Sequence, residues 1–149
     1  MTINSYKDLE VWQLGMEITE STYQLTKNFP SDEVYGLRLQ MRKSSSSIPS
    51  NIAEGPERDG TKEFLHFLSI AKGSRGELHT QYLLAVRLKF IRLEDFQPVS
   101  EKLTLLGKKL SNLQKALRRG SNPQPQSPIP IFYDRINCYS SSFWARSNP

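Results

Sequence analysis

Seven apolar residues recur at alternating spacings of three and four: Phe96, Val99, Leu103, Leu106, Leu110, Leu113 and Leu117. A strand exposes every second residue to the same side, so this pattern is buried along one side of a helix. It reads as a heptad repeat with apolar a and d positions over three heptads, and such a seam requires partner helices. Gly120 follows as the expected C-terminal stop.

The partners are upstream. From about Tyr6 to Asn28, the residues Leu9, Trp12, Met16, Thr19, Tyr23 and Thr26 repeat at helical spacing, and Phe29-Pro30 ends the segment. Ser31 or Asp32 is the expected cap of a second helix that runs through Leu37, Met41, Ser45, Ile48 and Ile52 to Glu54, before Gly55-Pro56. Its middle, Ser44 to Ser47, is small enough for close helix packing, and Pro49 removes a backbone hydrogen bond and should kink it. Asn51 and Glu54 are expected to satisfy the backbone groups that Pro49 frees, or to bond across an interface. A third helix is expected from Thr61 to about Phe90, with Phe64, Phe67, Leu68, Ala71, Ser74, Leu78, Tyr82, Ala85 and Leu88 as its stripe. Gly73 and Gly76 within it suggest close approach of a neighbouring backbone, since each costs about 1 kcal/mol against alanine.

No sustained apolar/polar alternation occurs. The reading is therefore all-α: an antiparallel up-and-down four-helix bundle over residues 1–120. Residues 121–149 are a different material. They hold five of the nine prolines and no leucine, and they read as a largely disordered tail whose aromatics Phe132, Tyr133, Tyr139, Phe143 and Trp144 are docking points at most.

Chemistry-bearing patterns are sparse. There is no Gly-rich phosphate loop and no His-Glu-x-x-His. His66 and His79 stand about 19 Å apart along one helix, too far to share a metal within a chain. One cysteine, Cys138, supports neither a disulfide framework nor a multi-cysteine zinc site. No catalytic, cofactor or metal site is expected, and the protein reads as a non-enzyme. Without a long apolar run or a secretory h-region, no membrane is expected as a partner and a cytoplasmic location is the default.

The basic residues carry more information. Twenty Lys+Arg against fifteen Asp+Glu give a net charge of +5. From Lys102 to Arg119 there are six cations and no acid, with Lys102, Lys108, Lys109 and Lys115 expected as one stripe beside the leucine seam. The second helix adds Arg38, Arg42 and Lys43, and the third adds Lys72 and Arg75. A solvated face and a polyanion-binding surface both fit this pattern. Apolar residues outside the stripes, namely Val11, Ile18, Leu25 and Leu83, point to self-association.

The run from Met41 to Gly55, MRKSSSSIPSNIAEG, closely resembles the signature of bacterial four-helix bundle proteins encoded by intervening sequences within large-subunit ribosomal RNA genes. Tyr6 to Gln13, Asn28 to Gln40 and Lys62 to Ser74 resemble further segments of that family in the same order. Arg75-Gly76 and His79 depart from its usual pattern. The resemblance implies a homo-oligomer, with a pentameric ring favoured, and a basic surface that binds nucleic acid, RNA favoured. A related branch, the accessory variability proteins of diversity-generating retroelements, implies an alternative: an adaptor docking onto a reverse transcriptase. The resemblance brings no site residues with it.

Overall fold

A computed structural model describes residues 5–121 of the chain, so the expectation for the tail beyond falls outside the described residues. Four helices follow in order: α1 (Glu10–Leu25), α2 (Leu37–Glu54), α3 (Thr61–Arg87) and α4 (Leu93–Ser121). Short 3-10 turns lie at Tyr6–Asp8, Ser31–Glu33 and Gly55–Glu57.

The helices form a four-membered ring in which each packs on its sequence neighbour and α4 closes on α1. Cross-helix contacts fix the directions. Thr19 meets Ser45 while Thr26 meets Arg42; Ser47 meets Ser74 while Ser44 meets Gln81; Ser69 meets Gln114 while Lys72 meets Ser111; Glu10 meets Lys109 while Glu17 meets Lys102. In every pair one position rises as the other falls, so all four neighbouring pairs are antiparallel.

The core follows the α4 seam as expected. Phe96, Val99, Leu103, Leu106, Leu110 and Leu117 are buried, against Met41, Ile48 and Ile52 of α2 and Phe64, Leu68, Ala71, Leu78, Tyr82 and Ala85 of α3. Across its centre the Thr22 and Tyr82 hydroxyls share a hydrogen bond of 2.8 Å. Burial pushes the Tyr82 phenol up to about 12, although the bond to Thr22 pulls the other way.

Helix α1 is rotated from the expected phase. Its buried residues are Val11, Gly15, Ile18 and Thr22, whereas Met16 and Tyr23 are exposed. Val11 and Ile18 are therefore core and Leu25 packs half-buried against it, so only Leu83 (46% exposed) survives from the residues read as unpartnered. The rotation has a local cause. Gly15 lets α1 lie against α2, where a Cβ would stand 3.3 Å from Ile48 Cγ2 and 3.5 Å from Pro49. Close packing there brings the Thr19 hydroxyl to the Ser45 carbonyl at 2.9 Å, the acceptor that Pro49 leaves without its helical partner. Thr19, not Asn51 or Glu54, repairs that gap. Asn51 donates to the Ser47 carbonyl of its own helix at 2.7 Å, and Glu54 pairs with Arg58.

Several boundaries also shift. Helix α2 starts at Leu37, because Ser31–Glu33 forms a 3-10 turn and the Glu33 carboxylate accepts from the Leu37 N–H at 2.7 Å. Helix α3 ends at Arg87, where Phe90 N–H reaches the Ala85 carbonyl and Lys89 N–H that of Val86, with Lys89 left-handed at φ 62°. Helix α4 continues through Gly120 to Ser121. Gly73 and Gly76 have open space where a Cβ would go, so they mark no close approach. That role belongs to Gly15, to Gly55 under the Phe64 ring, and to Gly107.

Candidate nucleic-acid interface

Consecutive residues on a helix diverge by about 100°, and this splits the lysines of α4. With Leu103 at position a, Gly107 and Gln114 fall at e and Lys108 and Lys115 at f, on the side turned toward α3. Lys102 and Lys109 fall at g, on the side turned toward α1. The expected single stripe of four is two pairs about 100° apart around the helix, one beside α3 and the other beside α1.

Toward α1, the lysines are neutralised. Lys102 Nζ lies 2.9 Å from Glu17 Oε2, and Lys109 pairs with Glu10. The groove between α1 and α4 is lined also by Glu20 and Asp95. The hydrogen bond from Arg92 holds the Asp95 carboxyl below the usual carboxylate range. This flank presents acid and base in mixture and holds no concentration of positive charge.

Toward α3, the picture reverses. A groove of about 660 Å³ runs between α3 and α4, lined by Lys72, Arg75, Lys108 and Lys115 together with Thr104, Gly107, Ser111 and Asn112. It contains no carboxylate, and none of its four cations forms an ion pair among the described residues. Two of the cations are held in place. Arg75 Nη1 donates to the Leu103 carbonyl at 3.1 Å, and its guanidinium lies on Gly107, where a Cβ would come within 3.0 Å of Arg75 Cζ. Lys72 Nζ donates to Ser111 Oγ at 3.1 Å, and Ser111 in turn donates to the Gly107 carbonyl at 2.9 Å. Lys108 and Lys115 stand exposed at the rim, one heptad or about 10.5 Å apart. Arg75 Nε is enclosed and has no partner among the described residues. A half-buried guanidinium with no facing carboxylate is a standing cost that an anion in the groove would relieve.

The α2 cations do not join this groove. Arg42 is tied to α1: its Nε donates to Thr26 Oγ1 at 3.0 Å, and the guanidinium covers the Tyr23 ring at 4.5 Å. That contact explains why Tyr23 remains on the surface, and it makes Arg42 a structural clamp. Arg38 is half-buried and Lys43 exposed, both away from the α3/α4 groove. Sequence reasoning therefore named all four groove cations but grouped them with five that lie elsewhere. It passed over Gly107, Ser111 and Asn112, for which the signal was a run of small polar residues on one flank of a leucine seam.

Among the described residues no helix is long and apolar enough to cross a membrane. A crystal structure of a protein of unknown function from the S23 ribosomal protein family of Bacteroides thetaiotaomicron is similar to this one, with 23% identity, a TM-score of 0.65, and coverage of 70% of this chain and 95% of that one. At this identity the likeness concerns the fold alone. No curated protein matches the chain. The family model described as 23S rRNA-intervening sequence protein matches residues 7–112, most of the bundle and more than half of the chain. The chain belongs to the 23S rRNA-intervening sequence protein family.

Proposed function

We propose that the protein is a non-catalytic, cytoplasmic homo-oligomer that binds nucleic acid, RNA foremost, through the α3/α4 groove. The observation that carries this reading is the clustering of four unpaired cations in a groove without a carboxylate, while lysines on the other flank of the same helix are ion-paired. Phosphates are the ligand such a groove suits, because neutralising them releases condensed counterions. The family's description, tied to sequences within 23S ribosomal RNA, supports RNA over other polyanions. Self-association is supported by Leu83 and Leu84 near the C-terminal end of α3 and Leu88 just past it, each close to half exposed. The same apolar strip also suits the second reading, an adaptor that docks on an enzyme such as a reverse transcriptase. Light scattering separates the two: a species of 17.1 kDa only, at micromolar concentration, refutes the homo-oligomer.

Fluorescence anisotropy with labelled RNA and duplex DNA across a salt series tests binding. Four phosphate contacts per groove give a slope of log affinity against log salt of about −3 to −4. Absence of binding to either probe at low salt refutes the nucleic-acid reading.

A further inference from the structure

We infer that the α3/α4 groove grips the backbone of duplex RNA in preference to single strands. The inference rests on the nucleic-acid reading above and specifies its substrate. Proteins that hold single strands without sequence preference combine positive charge with aromatic rings on which bases stack. This groove has the charge and none of the rings. Its neutral lining is two hydroxyls, a glycine and an amide. Tyr82 stacks on Phe96 in the core, Phe29 meets Phe90, Tyr6 meets Trp12, and the exposed Tyr23 and Tyr35 belong to α1 and the turn before α2, outside the groove lining. A single strand laid here would gain only phosphate contacts, with its bases left in water.

A duplex loses nothing by that arrangement. Its bases are already stacked on one another, and an A-form helix offers phosphates and 2′-hydroxyls on its outer surface. Its charge density also exceeds that of a single strand, so each neutralised phosphate releases more counterion. The groove is stiff in the way a stiff ligand rewards. Arg75 is fixed by the Leu103 carbonyl and the bare face of Gly107, and Lys72 by Ser111, so two of the four charges keep their places before any ligand arrives. Lys108 and Lys115 supply mobile charge at the rim. Asn112 lies between them along the same groove, exposed and with its side-chain amide making no hydrogen bond among the described residues, as both donor and acceptor for a 2′-hydroxyl.

The test uses the full chain, a fully paired RNA duplex, and an oligouridine carrying the same number of phosphates, at one salt concentration. Lys108→Glu with Lys115→Glu isolates the groove's share, since both residues lie at the solvent-exposed rim and circular dichroism checks the fold. The duplex is expected to bind about tenfold tighter than oligouridine, and the double reversal to cost the duplex about tenfold and oligouridine less. Oligouridine bound as tightly as the duplex, or losing as much affinity on reversal, overturns the preference while leaving the nucleic-acid reading intact. Binding unaffected by the reversal overturns the groove as the site. No binding of either probe overturns the nucleic-acid reading and this inference with it.

Discussion

The two flanks of α4 are built from the same material and end in opposite electrostatic states. Lys102 and Lys109 on one side, Lys108 and Lys115 on the other, are equal in number, spacing and side-chain type. The helix each pair faces makes the difference. Helix α1 presents Glu10 and Glu17 to the first pair; α3 presents Lys72 and Arg75 to the second. A net charge of +5 spread evenly would be a solvated surface with little to say about function. Four cations without ion pairs gathered on one flank, with the lysines of the other flank paired to glutamates, make a directed positive groove.

This contrast requires that binding be separable from stability, and Tyr82 offers the largest test of that. Tyr82→Phe removes the hydrogen bond to Thr22 in the core and should cost about 1 kcal/mol in urea or thermal unfolding, while RNA affinity stays the same. The phenol also sets an alkaline limit. Its folded pKa of about 12 lies above the unfolded value of 10.0, so the folded state keeps the proton longer. The stability that this group contributes is complete below pH 10 and is lost as pH rises toward 12. Tyr82→Phe should flatten that part of the stability profile. A variant that loses RNA affinity in proportion to its stability would tie binding to the core and break the contrast.

A smaller effect is expected on the paired flank. Lys102→Glu with Lys109→Glu places like charges against Glu17 and Glu10. Each pair is substantially solvent-exposed and contributes about 0.2–1 kcal/mol, so the melting temperature should fall by a few degrees at low salt and recover at high salt, where the repulsion is screened. A gain in place of a loss is expected beside the unpaired flank. Gly73→Ala, next to Lys72 on α3, meets nothing within 4 Å and should stabilise the helix by up to about 1 kcal/mol. A loss of stability there would restore the close approach that the sequence suggested.

Much of the fold could be read from the chain because α4 states its own phase. Every seam residue from Phe96 to Leu117 is large and apolar, so only one face can be inside. Helix α1 has no such clarity. Its core face includes Gly15 and Thr22, which look dispensable in sequence, and its outer face includes Tyr23, which looks like core until Arg42 is seen lying over it. The start of α2 was obscured because its effective cap is Glu33, a side chain reaching from a 3-10 turn, and not a residue at the usual cap position. The groove was half legible. The separation of f from g positions follows from helix geometry alone, but the neutralisation of Lys102 by Glu17 depends on which helix sits alongside, and tertiary packing decides that. Gly107 is legible only in retrospect, as the space that an arginine from another helix occupies.

On the proposed function, one flank of α4 binds nucleic acid and the other does not. Measuring RNA affinity for the two charge reversals side by side, Lys108→Glu with Lys115→Glu and Lys102→Glu with Lys109→Glu, tests it most directly, because the change in net charge is identical. A loss of about tenfold or more is expected for the first, with the salt slope reduced by about 2, and a loss within about twofold for the second. Equal losses in the two variants would contradict it, since binding would then follow the total charge of the bundle and not the groove between α3 and α4.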